Sequence, residues 1–187
     1  IQILNDMGAV VRPGHKSLEI CQDRHLEKQF ARDLGIATAD YWVIDTVEDL
    51  KSALSELSVK GILKTRRDGY DGHGQVRVTT GDDAETAFEK IGYQPAILEA
   101  FVPFVGETSG IVARRADGHY TTFEPARNVH QNGILYSSTV PSGFGEETIS
   151  DTVEYAVRLA KALDHVGVMA VEFFVLESGE IVLNEMA

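Results

Sequence analysis

Cysteine is nearly absent. Cys21 stands alone, so no disulfide can form within the chain, which fits a reducing compartment and a cytoplasmic protein. Long apolar runs are missing too. None approaches the roughly 18 residues that a membrane-spanning helix needs, so no membrane partner is expected. Positive charge is scarce: 17 Lys and Arg stand against 29 Asp and Glu, a formal net charge of −12. Such a chain lacks the broad basic face that displaces counterions from nucleic-acid phosphates, and no nucleic-acid partner is expected. A small phosphorylated substrate stays open, because a local basic cluster suffices for one. Internal repeats and low-complexity stretches are also absent.

What remains is ordinary for a globular protein. The 187 residues are 43% hydrophobic and 25% charged, enough for one large domain or two small ones. The chain opens at Ile1 and stops at Ala187, directly after a strand-like segment, as expected of an excerpt from a longer protein. Residues 16–34 are predicted as one helix, because Leu18, Leu26, Phe30 and Leu34 recur at helical spacing and Gly35 suits the residue after a helix end. A short strand is expected at 41–44. Thr46 then reads as an N-cap with Asp49 as its capping partner, opening a helix whose stripe is Val47, Leu50, Leu54 and Leu57. Strands are expected at 61–64, 75–79 and 96–99, with a helix at 82–91.

After Pro103 the pattern changes to antiparallel strands at 109–115, 119–124 and 134–140, with Asp117-Gly118 as a hairpin signal. A helix is expected at 147–163, its acidic start favoured by the helix dipole. A closing hairpin is expected at 168–176 and 181–184. The boundary between two α+β units is expected near residues 101–103, and a nucleotide could lie between them.

The closing hairpin carries the sharpest local argument. If Ser178-Gly179 is a two-residue turn, Leu176 faces Ile181, Phe174 faces Leu183 and Glu172 faces Glu185. Like charges opposite one another repel, and a hard divalent cation with oxygen ligands relieves this. The alternative is a pair of solvated glutamates at a sheet edge, and a one-residue slip would separate them. By the same count Asn184 points to the other face.

The second candidate is the run from Lys64 to Gln75. Three cations (Lys64, Arg66, Arg67) follow a strand, then Gly69, Gly72 and Gly74 fall within six residues. Glycines let backbone amides approach phosphates, and a lysine at a strand end supplies a point charge. The Gly-Lys-Ser/Thr ending of a Walker A loop is missing. A glycine-rich hairpin with a basic rim is the competing reading. Glu99-Ala100-Phe101-Val102, with Glu107, could offer backbone groups to a base and a carboxylate to a ribose. His130 is a lone histidine near a strand.

Taken together, the segments QDRHLEKQF, GILKTRRDGYDGHGQ, ILEAFVPF, NVHQNGIL, GVMAVEFFV and LNEMA resemble successive motifs of the N5-carboxyaminoimidazole ribonucleotide synthases, ATP-grasp ligases of purine biosynthesis. The match runs in order over nearly the whole chain. The resemblance implies an α+β ATP-grasp fold, two units enclosing ATP, truncated at both ends. Residues 1–40 would be the end of a Rossmann-like domain and a connecting helix, 41–102 the smaller ATP-grasp subdomain, and 103–187 the larger, incomplete one with the metal-binding hairpin.

The same resemblance implies the ligands. Arg24 and Lys64 would contact ATP phosphates. Gly69, Tyr70, Asp71, Gly72, His73, Gly74 and Gln75 would form the loop closing over them. Glu99, Ala100, Phe101, Val102 and Glu107 would hold the adenosine, with His130 and Asn184 near the nucleotide. Glu172 and Glu185 would ligate Mg²⁺. Tyr70 and Asp71 would face 5-aminoimidazole ribonucleotide, with Tyr70, Asp71 and Lys64 as the catalytic set and Asp71 orienting the amine. The family usually carries Lys or Arg where this chain has His73, mostly uncharged at neutral pH. The implied substrates are ATP, bicarbonate and 5-aminoimidazole ribonucleotide, and the implied assembly is a homodimer. Another ATP-grasp ligase, such as a formate-using glycinamide ribonucleotide transformylase or a biotin carboxylase, and a nucleotide-binding module without turnover, are the rivals.

Overall fold

The computed structural model describes residues 2–58, 60–69, 74–131 and 133–187. The expectations placed on Tyr70, Asp71, Gly72 and His73 therefore lie outside the described residues. Six helices and ten strands are found among those described, the strands in two sheets.

The first sheet has the order β1-β4-β2-β3, from β1 (Tyr41–Ile44), β2 (Lys60–Thr65), β3 (Gln75–Thr79) and β4 (Ala96–Ala100). Two helices supply its core, α4 (Val47–Glu56) and α5 (Ala84–Lys90). Leu50, Leu54 and Phe88 pack with Ile44, Leu63 and Leu98 from the strands. Burying each such side chain contributes about 1.5–3 kcal/mol. The Thr46–Asp49 capping box is present, with both reciprocal hydrogen bonds at the start of α4.

The second sheet has the order β10-β9-β5-β7-β8, with β6 beside β5. Its strands are β5 (Phe104–Arg114), β6 (Tyr120–Thr122), β7 (Ala126–Gln131), β8 (Ile134–Thr139), β9 (Gly167–Leu176) and β10 (Ile181–Met186). In β9, Met169, Val171, Phe173 and Val175 point inward, the period of two that one buried face requires. They meet Ala156, Leu159 and Ala160 of α6 (Glu146–Ala162). At Gly110 an added Cβ would lie 2.7 Å from the Thr152 carbonyl oxygen, so the absent side chain lets α6 close onto β5.

Before the first sheet lie α1 (Gln2–Asp6), α2 (His15–Cys21) and α3 (Arg24–Asp33). The single helix expected over 16–34 is thus two. Asp23 divides them, because its carboxylate accepts from the His25 and Leu26 amides at 3.0 and 3.4 Å and caps α3. Strand β7 falls where only a histidine near a strand was expected, and β5 starts five residues earlier than the expected 109.

The closing hairpin also differs from expectation. The Leu176 amide bonds to the Glu180 carbonyl at 2.9 Å and the Gly179 amide to the Leu176 carbonyl at 2.9 Å. Three residues therefore turn the chain, with Gly179 in the left-handed region at φ 90°. Ile181 pairs with Val175, Val182 with Phe174 and Leu183 with Phe173, one residue out of the expected register. An irregularity between Leu183 and Glu185 then restores the pairing of Glu185 with Glu172.

Candidate functional site

The open face of the second sheet carries a polar row. Glu172 pairs with Glu185 on one side and with Ser109 on the other, while Glu107 pairs with Asn128 across β5 and β7. His130 spans these positions. Its Nδ1 lies 2.9 Å from Glu107 Oε2 and its Nε2 lies 3.8 Å from Glu172 Oε2. Asn128 donates to Ser109 Oγ and accepts from Ser138 Oγ, the latter at 2.8 Å. At the far end Arg24 Nη2 stands 3.8 Å from Glu185 Oε2.

Glu172 is held above the usual carboxylate range, by burial first and by repulsion from Glu185 next, with His130 opposing. The side-chain nitrogens beside them, His130 Nε2 at Glu172 and Arg24 Nη2 at Glu185, both stand at 3.8 Å, beyond hydrogen-bond distance. Two hard oxygen donors, paired across strands and incompletely neutralised, fit a divalent ion whose other ligands are phosphate and water. Among the described residues no group of three or more His, Cys, Asp or Glu side chains could hold a metal by itself.

Opposite this row the first sheet presents a buried lysine–carboxylate cluster. Lys64 Nζ donates to Glu99 Oε2 at 3.0 Å, and Lys28 Nζ lies 3.3 Å from Glu99 Oε1. Lys28 is 0% and Glu99 4% exposed. Burial opposes ionisation of Glu99, yet Lys28 and Lys64 outweigh it and hold the carboxyl below its usual range. Lys28 also donates to the Asn184 carbonyl at 3.2 Å, so one ammonium ties the two sheets together.

The base of the glycine loop is closed by the Thr65 amide donating to the Gly74 carbonyl at 2.8 Å. Gly74 has φ 70°, and a Cβ there would meet Thr65 Oγ1 at 2.6 Å. Of the three cations in this run, Arg66 and Arg67 are engaged with Asp23. Arg66 donates to both Asp23 oxygens at 3.1 and 2.8 Å, and Arg67 lies 3.3 Å from the same carboxylate. Burial disfavours the charged form of Asp23, but the Arg66 hydrogen bonds, the Leu26 and His25 amides and the Arg66 charge keep its carboxyl below the ordinary range.

Between the sheets lies a cavity of about 440 Å³, lined by Asp40, Ala100, Phe101, Val102, Pro103, Leu176, Glu177 and Ser178. That volume is within the range of ligand pockets. The Ala100 and Phe101 amides are committed to the Asp40 and Lys60 carbonyls at 2.8 and 3.1 Å, whereas the Val102 amide has no backbone partner among the described residues. Lys60 Nζ sits 3.7 Å from the Phe101 ring centroid. Beyond the rim, Phe104 stacks on Phe174 at 4.6 Å. Glu99 does not line this cavity.

Thus contacts link Arg24, Glu185, Glu172, His130 and Glu107 in one row and Lys64, Glu99, Lys28 and the Asn184 carbonyl in another, while residues 100–102 line the cavity. Gly69, Gly74 and Gln75 stand at the base of the loop that leaves β2 and returns in β3. Asp23, Glu27, Lys28, Ser109 and Asn128 were not anticipated. Asp23 had a signal, an aspartate placed to cap a helix; the others are recognisable only through partners distant in sequence.

Residues 29–187 match the model of the ATP-grasp domain. The chain is 47% identical over 181 residues to an N5-carboxyaminoimidazole ribonucleotide synthase of Brucella melitensis, covering 96% of this chain and 50% of the relative. A solved ADP complex of an N5-carboxyaminoimidazole ribonucleotide synthetase superposes with a TM-score of 0.92 at 38% identity, over 100% of this chain and 49% of that one. The synthetase of Thermus thermophilus gives 0.89 at 37% identity, over 100% and 50%. The chain spans about half the length of the curated relatives it matches.

Proposed function

The chain belongs to the ATP-grasp family, and on that premise we propose that the full-length protein carboxylates 5-aminoimidazole ribonucleotide with ATP and bicarbonate, releasing ADP and phosphate. The observation that carries this reading is the chain of contacts that runs from Lys64 through Glu99 and Lys28 to the Asn184 carbonyl, beside the Glu185 that pairs with Glu172. The choice of substrate is supported by 47% identity to a synthase of that name over 96% of the chain.

In the proposed reaction a bicarbonate oxygen attacks the γ-phosphorus of ATP, forming carboxyphosphate and ADP. The substrate amine then bonds to the carboxyl carbon and phosphate leaves. The protein's part is positioning and charge neutralisation. Lys64 spends one of its three donors on Glu99 and has others for phosphate oxygens. Arg24, beside Glu185, is the second phosphate cation. Ala100, Phe101 and Val102 receive the base at the cavity rim, with the Val102 amide as donor, and Glu107, oriented by His130, is placed for the ribose. Glu172 and Glu185 would hold Mg²⁺, which when bound neutralises phosphate charge. Gly69 to Gln75 are assigned, on the resemblance alone, to a loop that would close over the phosphates and keep water from the labile intermediate. Tyr70 and Asp71 are assigned to the aminoimidazole ribonucleotide, Asp71 orienting its amine, on the resemblance alone.

The same proposal divides the chain into residues 1–40, 41–102 and 103–187, as the end of a preceding domain and two ATP-grasp subdomains. It takes the protein to be a cytoplasmic homodimer. No described helix is long and apolar enough to cross a membrane. Phosphate release by the full-length protein tests the function. Aminoimidazole ribonucleotide should stimulate release in the presence of bicarbonate, and Glu185→Gln should abolish the stimulation. Stimulation by a different amine or acid instead would reassign the substrate within the family. Nucleotide binding without turnover would leave a binding module.

A further inference from the structure

We infer that Glu27 and Lys28, consecutive residues of α3, are positioning residues that clamp the bulge of β10 and so aim the Glu185 carboxylate; this rests on the reading of Glu172 and Glu185 as metal ligands. The need for a clamp follows from the hairpin register. Leu183 pairs with Phe173. Continued without interruption, that register would set Asn184 opposite Glu172 and Glu185 opposite Val171. Val171 is 0% exposed and belongs to the core beneath α6. Glu185 would then lie on the apolar face, away from Glu172. The irregularity at Asn184 is what returns Glu185 to the polar face.

A bulge leaves peptide groups outside the ladder, and β10 is the edge strand of its sheet. Its outward groups need partners from elsewhere. They have them. The Asn184 carbonyl, on the N-terminal side of Glu185, accepts from Lys28 Nζ at 3.2 Å. The Met186 amide, on the C-terminal side, donates to Glu27 Oε1 at 2.5 Å. The Leu183 amide donates to the Ala37 carbonyl at 2.8 Å, fixing the residue before the bulge. Both peptide groups flanking Glu185 are thus held by two adjacent side chains, Glu27 at 2% and Lys28 at 0% exposure.

The clamp also sets distances across the site. Lys28 pairs with Glu99, and Glu99 pairs with Lys64. The carboxylate that faces the metal and the lysine that faces the phosphates therefore take their relative placement from one buried chain of contacts. Glu27 and Lys28 are themselves buried.

The test uses full-length protein with Mn²⁺ as the probe ion, titrated into the ADP complex and read by electron paramagnetic resonance. ADP affinity in EDTA and the melting midpoint are measured alongside. Glu27→Met keeps the size of the side chain and removes the acceptor for the Met186 amide; Glu27→Gln keeps an acceptor. Glu27→Met should weaken Mn²⁺ binding about tenfold or more, the usual scale for a partner behind a metal ligand. Its metal-free ADP affinity should stay within about twofold, and Glu27→Gln should bind Mn²⁺ like the wild type. Glu27→Asp, whose arm is one methylene shorter, should fall between them and serves if the methionine variant folds poorly. Unchanged Mn²⁺ affinity in Glu27→Met and Glu27→Asp, or equal loss in Met and Gln, overturns the inference alone. A wild-type ADP complex that binds no Mn²⁺ overturns the metal site and the inference with it.

Discussion

Replacing Lys28 by Met probes the contact that joins the two sheets. The ammonium is 0% exposed, sits 3.3 Å from Glu99 Oε1 and donates to the Asn184 carbonyl. Methionine keeps the aliphatic volume and deletes both interactions. Removing one member of a buried ion pair costs about 3–5 kcal/mol, but Glu99 retains Lys64 at 3.0 Å, which lowers that figure. The Asn184 carbonyl, left without its donor, adds about 1–3 kcal/mol. A net loss of about 3–4 kcal/mol is expected, lowering the melting midpoint by about 10 °C in a chain of this size. A double-mutant cycle isolates the cause. Glu99→Gln in the Lys28→Met background should cost less than in the wild type, with coupling of about 0.5–3 kcal/mol.

The pH dependence has a definite sign. Folding lowers the Glu99 pKa from its ordinary 4.5, so its contribution is present above that value and fades as the pH falls below it. The deficit of Lys28→Met should be largest near neutrality and shrink in acid. A loss under about 1 kcal/mol, additivity with Glu99→Gln, or a deficit independent of pH would refute the reasoning.

Other substitutions read other parts of the structure. Asp23→Asn keeps a capping residue but loses the charge that Arg66 and Arg67 share. It should cost about 1–3 kcal/mol at neutral pH, and because the Asp23 pKa is lowered, the gap to wild type in urea midpoints should close as the pH drops below about 4. Glu172→Gln removes a carboxylate whose pKa is raised by burial and by Glu185. Without metal it should raise the melting midpoint at neutral pH and leave it unchanged in acid, where the wild-type group is protonated. With Mg²⁺ and ADP the order should reverse.

Local chemistry made part of this fold legible. The Thr46–Asp49 box lies within one turn, and the alternation in β9 needs only the residues of that strand. Other features depend on distant partners. Residues 16–34 carry one apolar rhythm, but Asp23 breaks it by capping a new helix and gripping Arg66. The buried members of α3 include Glu27 and Lys28, which hydrophobic periodicity assigns to solvent; their burial makes sense only with Glu99 and the β10 edge in place. Strand β7 has little strand character in Ala-Arg-Asn-Val-His-Gln and forms because β5 and β8 flank it. The Glu172–Glu185 pairing was expected from a two-residue turn. It arises instead from a three-residue turn and a bulge whose offsets cancel, and only the opposing carboxylates hinted that some such correction was required.

Oxygen transfer from ¹⁸O-labelled bicarbonate, followed in the full-length protein with ATP, Mg²⁺ and aminoimidazole ribonucleotide, tests the proposed chemistry most directly. The oxygen that attacks phosphorus stays with it when the carbon–oxygen bond breaks, so one labelled oxygen should appear in each phosphate released. Stimulated release of unlabelled phosphate would contradict phosphorylation of bicarbonate at this site.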